Sequence, residues 1–501
     1  MSNLSDLIPA GGGQNNTDFV ADGGITSGKP VVLNADGTAA EVTGSAAVVG
    51  TPTVILSTTD FDSTDALCVT SGDQNVGGLA DYNGGAGVTG ESFVLTASAT
   101  TITKSTSAYQ FTANTPQYIA CCYDSINDRV VMVWNEEVGG THTLYARVGT
   151  ISGTGASAAI SYGTAVSVGT STHRFYFANV EFDPDTGNFV IFWASQENSW
   201  YGYAWVGTVT GGSYDTVTMG TSSVVVASSA TEYNNLVYDP DTDRMIFTYL
   251  SSGFFGKVGT VSGTSTSATV SVGAAGEMGS SLNANSNAPV YDPVNDKVVV
   301  VVSDDLALDV GVGTVTGGGT NTIAFADIVT IGIAGNVSNG VVATYDSNAN
   351  KVIAVFREDG SPYYSYMNDI TITGTVPSAG TNTLILTPNS QLRAIEYNAT
   401  ASRTVYLGQD GSDDSAMVLA PPISTMTSTN LLGIASGAIL DTATGTINTW
   451  GSRNEVQTSL TIGSDYYVQI DGTITTSSSG DAQLIGKAIT ATQINIKDYT
   501  G

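Results

Sequence analysis

The chain has 501 residues and carries 15 Lys and Arg against 45 Asp and Glu, a net charge of −30, although only 12% of its residues are charged. A surface so poor in cations has little with which to displace counterions from phosphate, which argues against nucleic acid and anionic bilayers as partners. A chain of this length also exceeds one ordinary core unless it is a repeat assembly, its surface drawn mostly from Ser, Thr, Asn and Gly.

At the start, residues 1–16 contain neither a basic stretch nor an apolar run, and no run of about 18 apolar residues follows anywhere, so neither a standard export signal nor a membrane-spanning segment is expected. The first predicted element is a hairpin. Pro30-Val31-Val32-Leu33-Asn34-Ala35-Asp36-Gly37-Thr38 reads as strand, Asp-Gly turn and strand. Residues 1–60 are assigned to an N-terminal β segment, and 61–91 to a linker or a degenerate repeat. Strand-like runs at 92–97 and 100–106 precede the first recognisable repeat.

From there one turn recurs six times: an aromatic residue, then Asp or Asn, then a polar corner ending in Arg, Lys or Asn. The copies begin at Tyr123-Asp124, Phe182-Asp183, Tyr238-Asp239, Tyr291-Asp292, Tyr345-Asp346 and, in worn form, Tyr397-Asn398. The positions 124, 183, 239, 292, 346 and 398 give steps of 59, 56, 53, 54 and 52, the length of one propeller blade. A second landmark follows in four repeats, Val148-Gly149-Thr150, Val206-Gly207-Thr208, Val258-Gly259-Thr260 and Val312-Gly313-Thr314. Between the landmarks lie short apolar runs at 130–134, 189–193, 245–249, 298–302 and 352–356, too short for core helices and bounded by turns. Each repeat therefore reads as a four-stranded antiparallel blade.

The predicted fold is all-β: a six-bladed propeller over 92–420, or seven-bladed if 52–90 hold a degenerate blade. Strands in 92–107 are expected to complete the last blade and so hide the open sheet edges. Because that closure brings residue 92 near residue 420, the flanks leave the ring together. Residues 421–501, with the hairpin Gln469-Ile470-Asp471-Gly472-Thr473, are then expected to pair with the N-terminal segment in one small β-sandwich or barrel-like domain.

Chemistry-bearing motifs are few. There are two histidines, His142 and His173, and neither a metal-ligand spacing nor a nucleophile elbow nor a phosphate loop, so no catalytic residue, metal or cofactor is assigned and the chain is expected not to be an enzyme. Cys68, Cys121 and Cys122 make no disulfide framework and read as small buried residues. The Asp corners, such as Asp239-x-Asp241-x-Asp243, have carboxylates at alternate positions as calcium loops do, but Asx turns explain the same residues. On the face opposite those corners fall His173, Arg174, Trp200, Tyr201, Tyr203, Tyr363 and Tyr364, the candidate ligand-binding residues. Aromatic planes beside carboxylates suit sugars, and packing between blades accounts for the same residues. No carboxylate is expected to recur on the inner strands near the axis.

The opening Leu4-Ser5-Asp6-Leu7-Ile8-Pro9-Ala10-Gly11-Gly12-Gly13-Gln14, the Asp-Gly hairpin, the Tyr-Asp-Pro blades with Val-Gly-Thr, and the ending Gly486-Lys487-Ala488-Ile489-Thr490-Ala491-Thr492-Gln493-Ile494-Asn495-Ile496-Lys497 together resemble tail-fibre and appendage proteins of tailed bacteriophages, marine ones especially. The resemblance spans nearly the whole chain and is weakest over 50–90. It implies a virion structural protein, assembled in the host cytoplasm, whose terminal domain attaches to the particle while the propeller binds a host-surface glycan or protein. A head fibre or capsid decoration protein, and a carbohydrate-active propeller enzyme or lectin, are the alternatives. The implied partners are other virion proteins and further copies of the chain, a trimer being favoured, with no nucleic acid and no membrane insertion.

Overall fold

In the computed structural model the described residues are 15–57, 66–70, 74–81, 89–279, 286–304, 307–316, 321–331, 336–359, 363–380, 382–386, 390–410, 413–426, 429–478 and 482–497. The Leu4 to Gln14 opening lies outside them.

Each aromatic-Asp corner is an Asx turn. The carboxylates of Asp124, Asp183, Asp239, Asp292 and Asp346 accept hydrogen bonds from the backbone N–H groups two and three residues ahead, at 2.9–3.3 Å. The turn then needs a left-handed residue before the next strand. Asp128, Gly187, Asp243, Asp296, Asn350 and Ser402 supply it, with φ between 50° and 70°. Since Asp239 is buried and also accepts from the Thr242 hydroxyl at 2.8 Å, Asp239→Ala takes the acceptor from three part-buried donors, the Asp241 and Thr242 N–H groups and that hydroxyl. It is expected to cost about 2 kcal/mol, read as a lower denaturant midpoint at unchanged slope.

The strand after each corner is sealed on both faces: every residue of Asn188–Ser195 is buried, as are Val298 to Val302. This is what a strand packed between neighbouring blades requires. The Val-Gly-Thr glycines have a steric cause rather than a conformational one. A Cβ on Gly207 would lie 2.2 Å from the Phe189 ring, and one on Gly259 2.6 Å from the Phe247 ring. Both phenylalanines are fully buried, so neither can move aside cheaply.

Seven antiparallel sheets follow one another along the chain among the described residues. Blade 1 is Ala66–Val69, Gln74–Asp81, Thr89–Ala97 and Ile102–Lys104, with Tyr109–Thr112 added. Blades 2 to 6 begin with Pro116–Asp124, Phe175–Asp183, Glu232–Asp239, Ser286–Asp292 and Asn336–Asp346. Blade 7 is Gln391–Asn398, Arg403–Asp410 and Asp413–Ala420, completed by Val48–Val49 and Thr53–Ser57 from the N-terminal side. The innermost strands touch in sequence, and that of blade 7 returns to Ala66–Val69, so the ring is closed. The protein is a seven-bladed β-propeller.

Corner side chains tie the blades together. Arg129 of blade 2 donates to the Ser213 and Tyr214 carbonyls of blade 3, Asn188 of blade 3 to the Gly263 carbonyl of blade 4, and Arg403 of blade 7 to the Ala99 carbonyl of blade 1. Asn398 also donates to Asn75 Oδ1 at 2.9 Å across the closing joint.

Two expectations are corrected here. Residues 92–97 and 102–104 do not close the ring; they are the third and fourth strands of blade 1, and residues 48–57 close it. The propeller therefore spans Val48–Ala420 rather than 92–420, and of the two readings of 61–91 the strands Ala66–Val69, Gln74–Asp81 and Thr89–Ala97 match the degenerate blade and not the linker. The cause is local. Where other blades have an aromatic-Asp corner, blade 1 has Val69-Thr70, and Thr70 makes the turn contact by bonding the Gln74 carbonyl through its N–H and hydroxyl.

The second compact unit comprises Met1–Ala47 and Pro421–Gly501. One sheet runs Asn16–Val20, Thr444–Asn448, Leu431–Ala435, Pro30–Leu33 and Ala39–Glu41; the other contains Gln493–Ile496, Gln483–Thr490 and Asp465–Val468. Val32, Ile434, Trp450, Val468, Ile485 and Ile494 fill the space between them, making a small sandwich built from both chain ends. Its two Asp-Gly hairpins are near copies: Asp36 and Asp471 each accept from the N–H and hydroxyl of a following Thr, which holds both carboxyls below the usual range. Single 3-10 turns at Gly155–Ser157, Gln196–Asn198 and Ser265–Ser267 are the helical pieces among the described residues, and no helix there is long and apolar enough to cross a membrane.

Candidate functional site

A closed ring of blades leaves a space along its axis. Here it is a cavity of about 890 Å³, walled by the innermost strands of all seven blades, within the range that holds a small ligand. Counting back from each corner Asp or Asn places the wall residues in layers.

Six positions before the corner stand Tyr118, Phe177 and Tyr233, in blades 2, 3 and 4. Each sits where its strand bulges, with φ of 50–52°. Left-handed backbone is costly for bulky side chains, and it recurs where the rest of a structure enforces a functional geometry. The bulge turns the three rings into an arc: Tyr118 lies 5.7 Å from Phe177, and Phe177 5.2 Å from Tyr233, centroid to centroid. Tyr176 extends it, 5.4 Å from Tyr118 and 4.4 Å from Trp200. All five rings are only half-buried, and burial pushes the Tyr118 hydroxyl up to about 12.

Two positions before the corner stand Cys122, Glu181, Val237, Val290, Thr344 and Glu396. Glu181 and Glu396 therefore occupy the same level of the wall, on blades 3 and 7. Desolvation raises Glu181 to about 7 and Glu396 to about 8, Glu181 adding its repulsion to the latter. Between the arc and the carboxylates runs an amide ladder. Asn179 donates to Asn235 Oδ1 at 2.6 Å, Asn235 to the Asn287 carbonyl at 3.1 Å, and Asn287 to the Tyr233 carbonyl at 2.5 Å. The expectation that no carboxylate recurs on the inner strands near the axis is thus wrong, since Glu181 and Glu396 stand at one level on two blades. A carboxyl titrating near neutrality can hold or release a proton, and an aromatic arc can stack on a sugar face.

The predicted site residues divide. Trp200 joins the arc through Tyr176, and Arg174 lies beside it, 3.6 Å from Glu137 and close enough to oppose the upward shift of Tyr118. His173 is exposed, its Nδ1 3.2 Å from the Thr172 hydroxyl, and Tyr201 opens the third strand of blade 3, half-buried. Tyr203 belongs to the core instead: its ring stacks on buried Trp193 at 6.0 Å between blades 2 and 3. Tyr363 and Tyr364 fall on blade 6, away from the arc; Arg357 lies over the Tyr363 ring at 5.2 Å, and the Tyr364 carbonyl accepts from the Glu358 N–H. The residues that sequence reasoning missed are Tyr118, Phe177, Tyr233, Glu181 and Glu396. Their signal was available as a fixed distance from each corner.

No family model and no curated protein matches the chain. Solved structures do. A periplasmic gluconolactonase of Pseudomonas aeruginosa is 12% identical over 81% of this chain and 99% of its own, with a TM-score of 0.46. Sqt1 of Chaetomium thermophilum, solved with the N-terminus of ribosomal protein L10, is 11% identical over 74% and 99%, with a TM-score of 0.42. A sialidase of Trypanosoma rangeli is 10% identical over 70% and 57%, with a TM-score of 0.38. The likeness is one of fold. The expectation that the chain is not an enzyme is corrected by this: the matches include sialidases and a gluconolactonase.

Proposed function

We propose that this protein is a virion appendage of a tailed bacteriophage, held on the particle by the two-ended sandwich and presenting the propeller mouth to a host-surface glycan. The observation that carries the reading is the division of the chain: both ends build one unit with its own core, and the ring between them is complete without either end beyond residues 48 and 420. An element that must be attached at one place and exposed at another is well served by such an insertion. The aromatic arc with its amide ladder supplies the chemistry for sugars, whose ring faces stack and whose hydroxyls need donors and acceptors. The motif combination resembling tail-fibre proteins gives the biological setting. Hydrolysis of the bound glycan is the second reading, favoured by Glu181 and Glu396 in the wall, and shortening of host polysaccharide on incubation tests it.

The test of attachment is a competition. Flanks joined by a short linker in place of residues 48–420 are expected to compete with added full chain for binding to particles assembled without it. Binding confined to the propeller would reverse the two roles, and fluorescent labelling of the full chain separates tail from head.

A further inference from the structure

Four features of the axial channel converge on one kind of ligand. Its wall holds two carboxylates at one level, Glu181 and Glu396, on blades that are not neighbours. The cation in that wall among the described residues, Arg393, is already engaged with Asp414 at 3.6 Å, both side chains being buried. Asn234, also in the wall and only 5% exposed, has no hydrogen-bond partner for either its amide nitrogen or its amide oxygen. A buried primary amide without partners costs free energy unless a ligand completes it. The wall also holds the rings of Tyr118, Phe177 and Tyr233, a side-chain type whose faces attract cations as well as sugars.

A bare metal ion does not fit this description. The cavity of about 890 Å³ is far larger than one ion, and no group of three metal-binding side chains occurs among the described residues. An anionic sugar fits no better, because the wall offers it carboxylates and a guanidinium already matched. Resting on the glycan-binding reading above, we propose that the axial channel binds the protonated amine of an amino sugar, with Glu181 and Glu396 facing the ammonium, Asn234 bonding a ring hydroxyl, and the aromatic arc stacking on the following sugar. The ammonium supplies the counter-charge that the ring itself does not provide, so that the two carboxyls give up their protons to solvent as it binds.

Calorimetric titration of the full chain with three short oligomers tests this: glucosamine with free amines, its N-acetylated counterpart, and a uronic acid oligomer. The free-amine oligomer is expected to bind about tenfold tighter than the N-acetylated one, the uronate not at all, and E181Q/E396Q to abolish the preference for the amine. Equal binding of the first two, or a preference that survives E181Q/E396Q, overturns the proposal; the latter outcome would mark a general attraction to the −30 surface. Thermal melting of E181Q/E396Q at pH 5 confirms that the variant is folded. The underlying glycan reading has its own readout: binding of the N-acetylated oligomer that weakens in Trp200→Ala sustains it even where the amine gives no gain. Absence of binding by all three overturns both.

Discussion

Deleting residues 48–57 is expected to open the ring and give the largest loss of stability of any short deletion outside the blade cores. Those residues are the outer strand of blade 7, paired along Asp413–Ala420, a strand whose residues from Asp414 onward are all buried. Removing them uncovers Ala416 and Val418, takes away buried Ile55, and leaves a free row of backbone donors and acceptors. Lost burial and unsatisfied edge together amount to on the order of 5 kcal/mol. The expected result is a protein that keeps its far-ultraviolet β signal, melts earlier and self-associates through the new edge. Adding a peptide of residues 46–60 should restore the monomer, because the pairing is antiparallel and needs no chain continuity. A monomeric deletion variant with unchanged melting would mean that Val48–Val49 and Thr53–Ser57 do not close the ring.

That closing strand shows where the sequence could be read and where it could not. The six corners were legible because an Asx turn demands Asp or Asn at one place and a left-handed residue a few positions later, and those demands repeat with the blade. Blade 1 was hidden because its first two strands are tied by a different contact, Thr70 donating its N–H and hydroxyl to the Gln74 carbonyl in place of a corner carboxylate that accepts, so the periodic signature vanished. The closing strand was invisible for a further reason: outer strands need only edge pairing and one apolar residue such as Ile55, which leaves no motif. The Asp-Gly hairpins at Asp36 and Asp471 were legible locally, but their common core with Trp450 and Ile485 depends on contacts between residues more than 400 positions apart.

At the site the difficulty was one of counting. Loop aromatics attract attention by exposure, and of those chosen Trp200 does reach the arc, whereas Tyr203 is spent on packing against Trp193. The wall residues lie inside strands, where an isolated Glu181 or Glu396 reads as a solvent-facing alternation. Only alignment on the corner shows that both occupy the same level facing the axis, and that Tyr118, Phe177 and Tyr233 share the level of the bulge.

The two wall carboxylates also predict how stability responds to pH. Both titrate higher in the folded protein, near 7 and near 8, than the 4.5 of an ordinary glutamate, chiefly through desolvation. The folded state therefore binds more protons than the unfolded state between those values, and stability falls as pH rises through that window. Their contribution is fully present below about 4.5, where both states are protonated, and is lost once pH passes the folded values. The nearby thiols stay protonated throughout, since Cys68 and Cys122 are pushed well up, the former by its contact with Cys121. Asp414 and the −30 surface push stability in the same direction, so the parent's pH slope alone does not isolate the pair. E181Q/E396Q does, because glutamine mimics the protonated acid at every pH. Parent and variant should melt together at pH 4.5, and the variant should melt higher at pH 8.5. With channel water screening the charges, the gain is about 3 kcal/mol, or roughly 4 °C for a unit of this size. Equal melting at both pH values, or a variant less stable than the parent at pH 8.5, would show that the two carboxylates are not confined together in the channel wall.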